Sequence, residues 1–71
     1  MQRQDVDSSN LRSVGYDADN QILEIEFTSG SVYQYYDVPA TVYTALMSAS
    51  SKGQYHIQWI KHSYRYQKIS Q

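Results

Sequence analysis

Residues 32–39 carry the clearest structural signal in this chain, and they run Val32-Tyr33-Gln34-Tyr35-Tyr36-Asp37-Val38-Pro39. Tyr33 and Tyr35 flank a polar residue, which is the alternation of a β-strand with one buried face. Pro39 suits the first turn of a helix, because the N–H group it lacks would have no partner there. The segment therefore predicts a strand that leads into a helix, as in a small α+β domain.

Two earlier segments show the same strand-like alternation, with apolar residues at Val14, Tyr16, Leu23, Ile25 and Phe27. The residues that alternate with these apolar positions are mostly polar, which predicts strands with one buried face. Asp19-Asn20 lies between the two segments and is a typical turn sequence. A two-residue loop there would place Tyr16 opposite Leu23, so that the apolar faces of both strands agree.

The loop before the tyrosine-rich strand can have two lengths, and the choice decides which residues are buried. A two-residue loop would turn Gln34 towards the apolar face of the preceding strand. A three-residue loop over 28–30, with Gly30 in the left-handed conformation, would turn Tyr33 and Tyr35 there instead. We expect the longer loop, because it buries two aromatic rings. The prediction is a three-stranded antiparallel β-meander with one apolar face.

A helix is predicted to cover this face. Val42, Leu46 and Ala49 recur at helical spacing after Pro39, and the helix should end near Ser50. Asp37, just before it, would favour the helix N-terminus electrostatically.

A second short helix and an extended C-terminal tail are predicted to follow. Ser51 and Gln54 match a capping box, which favours a helix over about 52–61. The alternating apolar residues at 55–59 would also fit a strand, and this alternative stays open. Residues 64–69 should form the extended tail.

Length and composition set limits on domain organisation and location. With 71 residues the chain has room for one domain, which we place at 9–69 after a disordered tail over 1–8. The chain contains no cysteine, so disulfides and thiolate metal sites are excluded. The N-terminus lacks the apolar core of a signal peptide, and no apolar run approaches the length of a membrane span. We therefore expect a cytoplasmic protein without membrane association.

An ordered series of residues along the chain resembles the KTSC domain: Ser9-Asn10, Tyr16-Asp17, Leu23-x-Ile25-x-Phe27-x-x-Gly30, Tyr33-x-Tyr35, Val38-Pro39, Leu46, Ala49-x-Ser51-x-Gly53-x-Tyr55, Ile60-Lys61 and Tyr64-x-Tyr66. This domain is named for the C-terminal domain of some lysyl-tRNA synthetases and also occurs as a small separate protein in bacteria and their phages. The resemblance covers about residues 8–69. Tyr33 and Tyr35 match the central Tyr-x-Tyr motif of the family.

The resemblance implies no established activity, and RNA binding is the role proposed for the family from its synthetase context. This chain departs from the family pattern at Ile57 and Trp59, where more polar residues are expected. The departure makes the second helix more apolar and hints at a contact surface.

Side chains that could support catalysis or bind a metal are few. His56 and His62 are six residues apart and do not stack on one helical face, so two surface imidazoles are expected rather than a zinc site. Glu24 and Glu26 fall on the solvent face of a strand without a pocket around them. We therefore predict a protein that is not an enzyme and that needs no cofactor or metal.

Charge is unevenly distributed along the chain. All seven acidic residues lie in 1–50 together with two arginines, whereas 51–71 contains four cations and no acid. A basic segment of this kind can bind a polyanion, or it can attract the acidic part of the same fold. Both interpretations stay open.

Cations and aromatic rings interleave in this basic segment, which gives the candidate binding residues Lys52, Tyr55, Trp59, Lys61, Arg65, Tyr66 and Lys68. Single-stranded nucleic acids are held by this combination, because cations follow phosphates and rings stack on bases. The leading hypothesis is a non-catalytic module that binds RNA or single-stranded DNA. The alternatives are that these rings belong to the core, or that an exposed strand edge or a Trp59 patch binds another protein. The sequence leaves the oligomeric state open.

Overall fold

The computed structural model describes residues 1–70, which form one antiparallel sheet and two helical segments. The strands are β1 (Gln4–Asp5), β2 (Leu11–Asp17), β3 (Ile22–Phe27), β4 (Val32–Tyr35) and β5 (Tyr66–Ser70). The helices are α1 (Ala40–Ser48) and α2 (Lys52–Tyr55), and α2 continues directly into a π-helical segment, His56–Ile60. The strand order is β1-β2-β3-β4-β5. The α+β class is as predicted, but the sheet has five strands where the sequence predicted three.

The register between β2 and β3 is the predicted one, with Tyr16 opposite Leu23. The connecting loop is longer than predicted, because the pairing ends at Asp17 and Ile22 and leaves four residues between them. The left-handed residue is Gln21, with φ of 55°. The reason is local. The Asp17 carboxylate accepts hydrogen bonds from the backbone N–H groups of Asp19 and Asn20, so the turn starts at Asp17, earlier than predicted.

The second hairpin has the predicted three-residue loop. The Phe27 N–H group donates to the Ser31 carbonyl at 2.9 Å, and the Gly30 N–H group donates to the Phe27 carbonyl at 2.9 Å. Gly30 is left-handed, with φ of 98°. This loop sets Tyr35 opposite Leu23, so the Tyr-x-Tyr motif faces the apolar side of β3.

The two outer strands correct the sequence prediction at the chain ends. Gln4–Asp5 lies inside the segment 1–8 that was expected to be a disordered tail, and it pairs with β2. Gly15 of β2 makes room for this segment, since a Cβ atom there would lie 2.9 Å from the Gln2 carbonyl oxygen. At the other end, the extended tail is β5, which pairs with β4 over Tyr66–Ser70.

α1 begins one residue later than predicted, and α2 begins directly after its predicted cap. Pro39 is the N-cap of α1, with extended backbone (φ −65°, ψ 152°), one position before the predicted first turn. The Ser51 hydroxyl accepts the Gln54 N–H group at 3.3 Å and caps α2, so the segment after residue 51 is a helix and not a strand. The Lys61 N–H group donates to the His56 carbonyl at 2.8 Å, which is the wider π-helical turn.

The core lies between the helices and one face of the sheet, and its fully buried residues are Leu11, Val14, Leu23, Ile25, Val38, Leu46 and Ile60. Leu46 of α1 and Ile60 of the π-helical segment cover the strands, as the helical spacing predicted for α1. Tyr16 and Tyr43 stack at 4.9 Å between ring centroids, which fixes α1 on the sheet. Among residues 1–70, neither helix has the length and apolar character of a membrane span.

Candidate nucleic-acid interface

A groove of about 470 Å³ opens between the sheet and the second helical segment. Its principal lining residues are Phe27, Tyr33, Tyr35 and Tyr66 on the sheet side, and His56 and Lys61 on the helix side. The hairpin loop at 28–31 borders one end. The groove thus combines an aromatic wall with a cation, and of the seven residues predicted from the interleaved pattern its lining includes Lys61 and Tyr66.

Strand pairing brings the aromatic rings of the sheet wall together. Tyr66 lies opposite Tyr35 across the β4–β5 pair, so both side chains emerge on the same face. The Tyr66 ring lies 5.8 Å from the ring of Tyr33 and 5.9 Å from that of Tyr35. Tyr66 is 58% exposed, whereas Tyr35 is 3% exposed. The wall therefore runs from a core residue to a ring that solvent can reach.

The floor of the groove is a hydrogen-bonded pair formed by Tyr35 and His56. The Tyr35 hydroxyl and His56 Nε2 are 2.8 Å apart, and the Phe27 ring meets the imidazole edge-on at 5.1 Å. Burial, with smaller contributions from Lys61 and His62, lowers the pKa of His56 to about 4. Burial also raises the pKa of Tyr35 to about 12. Both groups are therefore neutral near pH 7.

His56 corrects the prediction that both histidines are surface imidazoles. It is only 7% exposed, whereas His62 is exposed at the groove rim. A buried imidazole requires a hydrogen-bond partner, and here Tyr35 of β4 supplies it from 21 residues away. That distance along the chain explains why the sequence pattern did not reveal the pair.

Two of the predicted cations lie on the groove side of the sheet. Lys61 lines the groove directly. Lys68 lies opposite Tyr33 in the β4–β5 pair and so shares the face that carries the aromatic wall. Across residues 1–70 the ion pairs are Arg3–Glu24 and Arg65–Asp37, and neither uses these two lysines. Their charges remain available to an anionic ligand.

Arg65 is placed on the opposite face of the sheet from the groove. Its guanidinium lies 3.0 Å from the Asp37 carboxylate, and both side chains are largely exposed. It also lies over the ring of Tyr36, 5.6 Å from the centroid. The Tyr36 hydroxyl hydrogen-bonds to Gln34 and Gln67, whose positions in β4 and β5 alternate with those of Tyr35 and Tyr66. Arg65, which precedes β5 and lies over Tyr36, is therefore on the face away from the groove. One of the four C-terminal cations therefore pairs within the fold.

Three further predicted residues do not belong to the groove lining within the described chain. Tyr55 is half-buried against the core, and Trp59 lies 6.5 Å from it with 54% of its surface exposed. The Lys52 ammonium group donates to the Ala49 carbonyl at 3.2 Å. The groove instead recruits Phe27, Tyr33 and His56, whose assembly depends on tertiary packing that no local pattern displays.

The outer face of the sheet carries a polar network rather than freely solvated carboxylates. Glu24 is 8% exposed. One carboxylate oxygen pairs with Arg3 at 2.6 Å, and the other accepts from the Gln34 amide at 2.8 Å. Glu26 accepts from the Ser13 hydroxyl at 2.9 Å. Glu24 is thus satisfied within the fold, and residues 1–70 contain no cluster of His, Asp or Glu that could hold a metal ion.

Comparison with known proteins agrees with this architecture. An uncharacterized protein from Stutzerimonas stutzeri (strain A1501) is 49% identical over 70 residues, which cover 97% of this chain and 99% of the relative. A lysine–tRNA ligase from Trichormus variabilis is 42% identical over 64 residues, which cover 90% of this chain but 11% of the ligase. The crystal structure of a KTSC domain protein from Yersinia pestis matches with a TM-score of 0.94 at 46% identity, over 96% of each chain. The sequence model of the KTSC domain matches residues 7–64, and the chain therefore belongs to the KTSC domain family.

Proposed function

We propose that this chain is a non-catalytic module that binds single-stranded RNA or DNA in the groove between the sheet and the second helical segment. The observation that carries the proposal is the position of Tyr66 and Tyr33 beside Lys61 and Lys68, neither of which is in an ion pair within residues 1–70. The exposed ring of Tyr66 and the partly buried ring of Tyr33 can stack on bases, and the two ammonium groups can contact phosphates.

The chemistry of the groove floor favours binding over catalysis. A general acid or base works best when its pKa lies near the working pH. The pKa of His56 is about 4 and that of Tyr35 about 12, so neither group exchanges a proton readily near pH 7. The pair instead offers a neutral polar surface, which is suited to hydrogen bonding.

The relatives support RNA over DNA as the ligand. Lysine–tRNA ligases from Trichormus variabilis and two Nostoc strains contain a segment about 40% identical to this chain over 64 residues. That segment makes up 11% of each ligase, so the domain accompanies proteins that are named for tRNA. These relatives support a cytoplasmic location as part of the proposal, and they make RNA the first ligand to test.

The first experiment distinguishes binding by a local cation site at the groove from binding that depends only on the net charge of the protein. The double variant Lys61→Gln, Lys68→Gln removes the lysine that lines the groove and the lysine on the same sheet face, and the control Lys52→Gln, Arg65→Gln removes the same charge elsewhere. Binding of a labelled oligouridine and of tRNA is followed by fluorescence anisotropy at several salt concentrations. We expect the groove variant to weaken binding and to reduce the salt slope by about 1.4, because each single-strand phosphate contact contributes roughly 0.7. The control should retain the slope of the unmodified protein.

Equal losses in both double variants would show that net charge alone drives binding, and the groove would then have no special role. If the unmodified protein binds neither ligand at low salt, where phosphate contacts are strongest, the nucleic-acid function is ruled out.

The second experiment compares two exposed aromatic residues. Tyr66→Ala should cost about 1–3 kcal/mol of binding free energy, which is the usual value of one stacked base. Trp59→Ala removes a ring of similar exposure outside the groove and should leave RNA affinity unchanged. The fold should survive both changes, since both side chains are more than half exposed. A larger loss of affinity for Trp59→Ala than for Tyr66→Ala would place the interface elsewhere.

The exposed apolar surface of the second helical segment supports a second candidate function, a protein-interaction module. Ile57 is 53% exposed and Trp59 is 54% exposed, two residues apart within one helical turn, and large exposed apolar side chains can contribute to contact surfaces. The outer edge of β5 offers a further site for strand addition. This function becomes the leading one if no nucleic acid binds. Trp59→Ala should then abolish an association that Lys61→Gln leaves intact.

A further inference from the structure

We propose that the groove takes a single unpaired nucleobase, whose edge meets His56 on the floor while its phosphate remains at the rim near Lys61. The proposal rests on the nucleic-acid function above and specifies how the same site would recognise its ligand. It predicts that the base, and not only the phosphate, contributes to binding.

The dimensions of the groove fit one nucleotide. Its volume of about 470 Å³ lies within the range of small-molecule sites, about 300–1,000 Å³. Phe27 and Tyr33 meet edge-to-face at 5.8 Å between ring centroids and give the sheet side an apolar wall. Ile57, which departs from the family pattern, contributes an exposed apolar side chain to the helix side. A flat heteroaromatic ring can bind between two such walls.

The distribution of charge orients the ligand. Tyr35 and His56 form a buried neutral pair, so a phosphate placed on the floor would lose its hydration without a compensating charge. Lys61 and His62 lie where the helical segment meets the groove mouth and are both exposed. A nucleotide therefore binds most favourably with its base inward and its phosphate outward.

The floor presents a hydrogen-bonding atom that is not used by the fold. His56 Nε2 is engaged by Tyr35, whereas Nδ1 has no hydrogen-bond partner within the described chain. Nδ1 also keeps some solvent-accessible surface, and because His56 lines the groove, we infer that this atom faces it. If the Tyr35 hydroxyl donates to Nε2, Nδ1 carries the proton and is a donor. If Nε2 donates to the hydroxyl oxygen, Nδ1 is an acceptor.

A second polar group at the groove, the Asn10 amide, occupies space that Gly53 leaves open. The Asn10 amide nitrogen lies 3.1 Å from the position that a Cβ atom of Gly53 would occupy. The absence of a side chain at Gly53 therefore allows Asn10 to lie against α2 at the edge of the groove. An amide offers both a donor and an acceptor, which matches the edge of a nucleobase.

The test compares nucleotides with a ligand that has the same phosphate but no base. Uridine and adenosine 5′-monophosphates and ribose 5-phosphate are titrated to millimolar concentrations into protein labelled with ¹⁵N, and the imidazole nitrogens of His56 are observed by NMR. We expect at least one nucleotide to shift the Nδ1 resonance and to bind at least tenfold more tightly than ribose 5-phosphate. Ribose 5-phosphate should perturb only residues at the rim, such as Lys61.

Two variants examine the floor directly. Tyr35→Phe removes the hydroxyl that engages Nε2 but keeps the ring, and it should weaken nucleotide binding about fivefold without changing that of ribose 5-phosphate. Tyr16→Phe is the matched control, because its hydroxyl donates to the Val38 carbonyl away from the groove. Asn10→Ala changes an exposed residue, so its effect does not depend on the stability of the core. It should also weaken nucleotide binding.

The outcomes separate this inference from the proposed function. If oligonucleotides bind but the nucleotides leave His56 unperturbed, or if ribose 5-phosphate binds as tightly as they do, the base-inserted mode is wrong and the broader function stands. If oligonucleotides fail to bind as well, both proposals are wrong.

Discussion

Lowering the pH below the ordinary pKa of histidine should destabilise this fold through His56. The pKa of His56 falls from 6.5 to about 4 on folding, because the imidazole is buried against Phe27 and Tyr35. Between these two values the unfolded chain takes up a proton that the folded chain does not, so acid favours unfolding. Stability is highest above about pH 6.5 and declines until about pH 4, where both states are protonated.

The size of the effect follows from the shift. One pKa unit corresponds to about 1.4 kcal/mol, so the free energy of unfolding should be about 2 kcal/mol lower at about pH 5 than at about pH 8. The further loss by pH 4 is about 1 kcal/mol, although carboxylates also begin to titrate there. The window from pH 8 to pH 5 therefore isolates the histidine.

Urea denaturation followed by far-ultraviolet circular dichroism measures this dependence. His56→Gln keeps an amide that can hydrogen-bond to the Tyr35 hydroxyl but cannot titrate, so its unfolding free energy should be nearly constant over the same pH range. His62→Gln changes an exposed imidazole and should retain the pH dependence of the unmodified protein. Equal stability of the unmodified protein at pH 5 and pH 8 would refute the reasoning. So would a loss of the pH dependence in His62→Gln alone.

Three further substitutions test the fold. Tyr35→Ala should cost about 3–5 kcal/mol in urea denaturation, because the ring is 3% exposed and its loss leaves a core cavity; a variant that melts within a few degrees of the parent would contradict this. Gly30→Val should destabilise by at least about 1–2 kcal/mol because a left-handed φ of 98° disfavours a branched side chain, whereas Ser29→Asn should change thermal stability little. Gly15→Ala should cost about 1–3 kcal/mol and release residues 1–3 to protease, since the new methyl group meets the Gln2 carbonyl. Unchanged protease resistance in that variant would show that the N-terminal segment packs differently.

Local sequence signals were sufficient to predict the central strands, the second hairpin loop and the start of α2. Alternation fixed the register of β2 and β3, and the preference for burying Tyr33 and Tyr35 selected the three-residue loop with Gly30 left-handed. Ser51 marked the start of α2 because a cap acts within one helical turn. These features depend on residues that are close together in the chain.

The outer strands and the groove could not be predicted from local patterns, because they are formed by contacts between residues that are distant in the chain. β1 is two residues long and has no alternation to read, and its place beside β2 depends on the open surface at Gly15. The predicted binding residues were assigned by proximity in sequence. Pairing with β4 brings Tyr66 to the groove, whereas Arg65, which precedes β5, pairs with Asp37 and lies over Tyr36 on the opposite face. His56 was expected at the surface because its partner belongs to another element.

The position of β5 links the dynamics of the chain to access to the groove. β5 joins the sheet after both helical segments, beside a strand that precedes them in sequence, and all of its side chains are exposed. Its detachment would sacrifice backbone hydrogen bonds but little apolar burial, so it should open at a lower free energy than the central strands. The amide protons of β5 should accordingly exchange with solvent faster than those of β2 and β3. Since β5 carries Tyr66, such an opening removes one wall of the groove while the core stays folded, and a bound ligand that contacts this ring would slow the exchange of the whole strand.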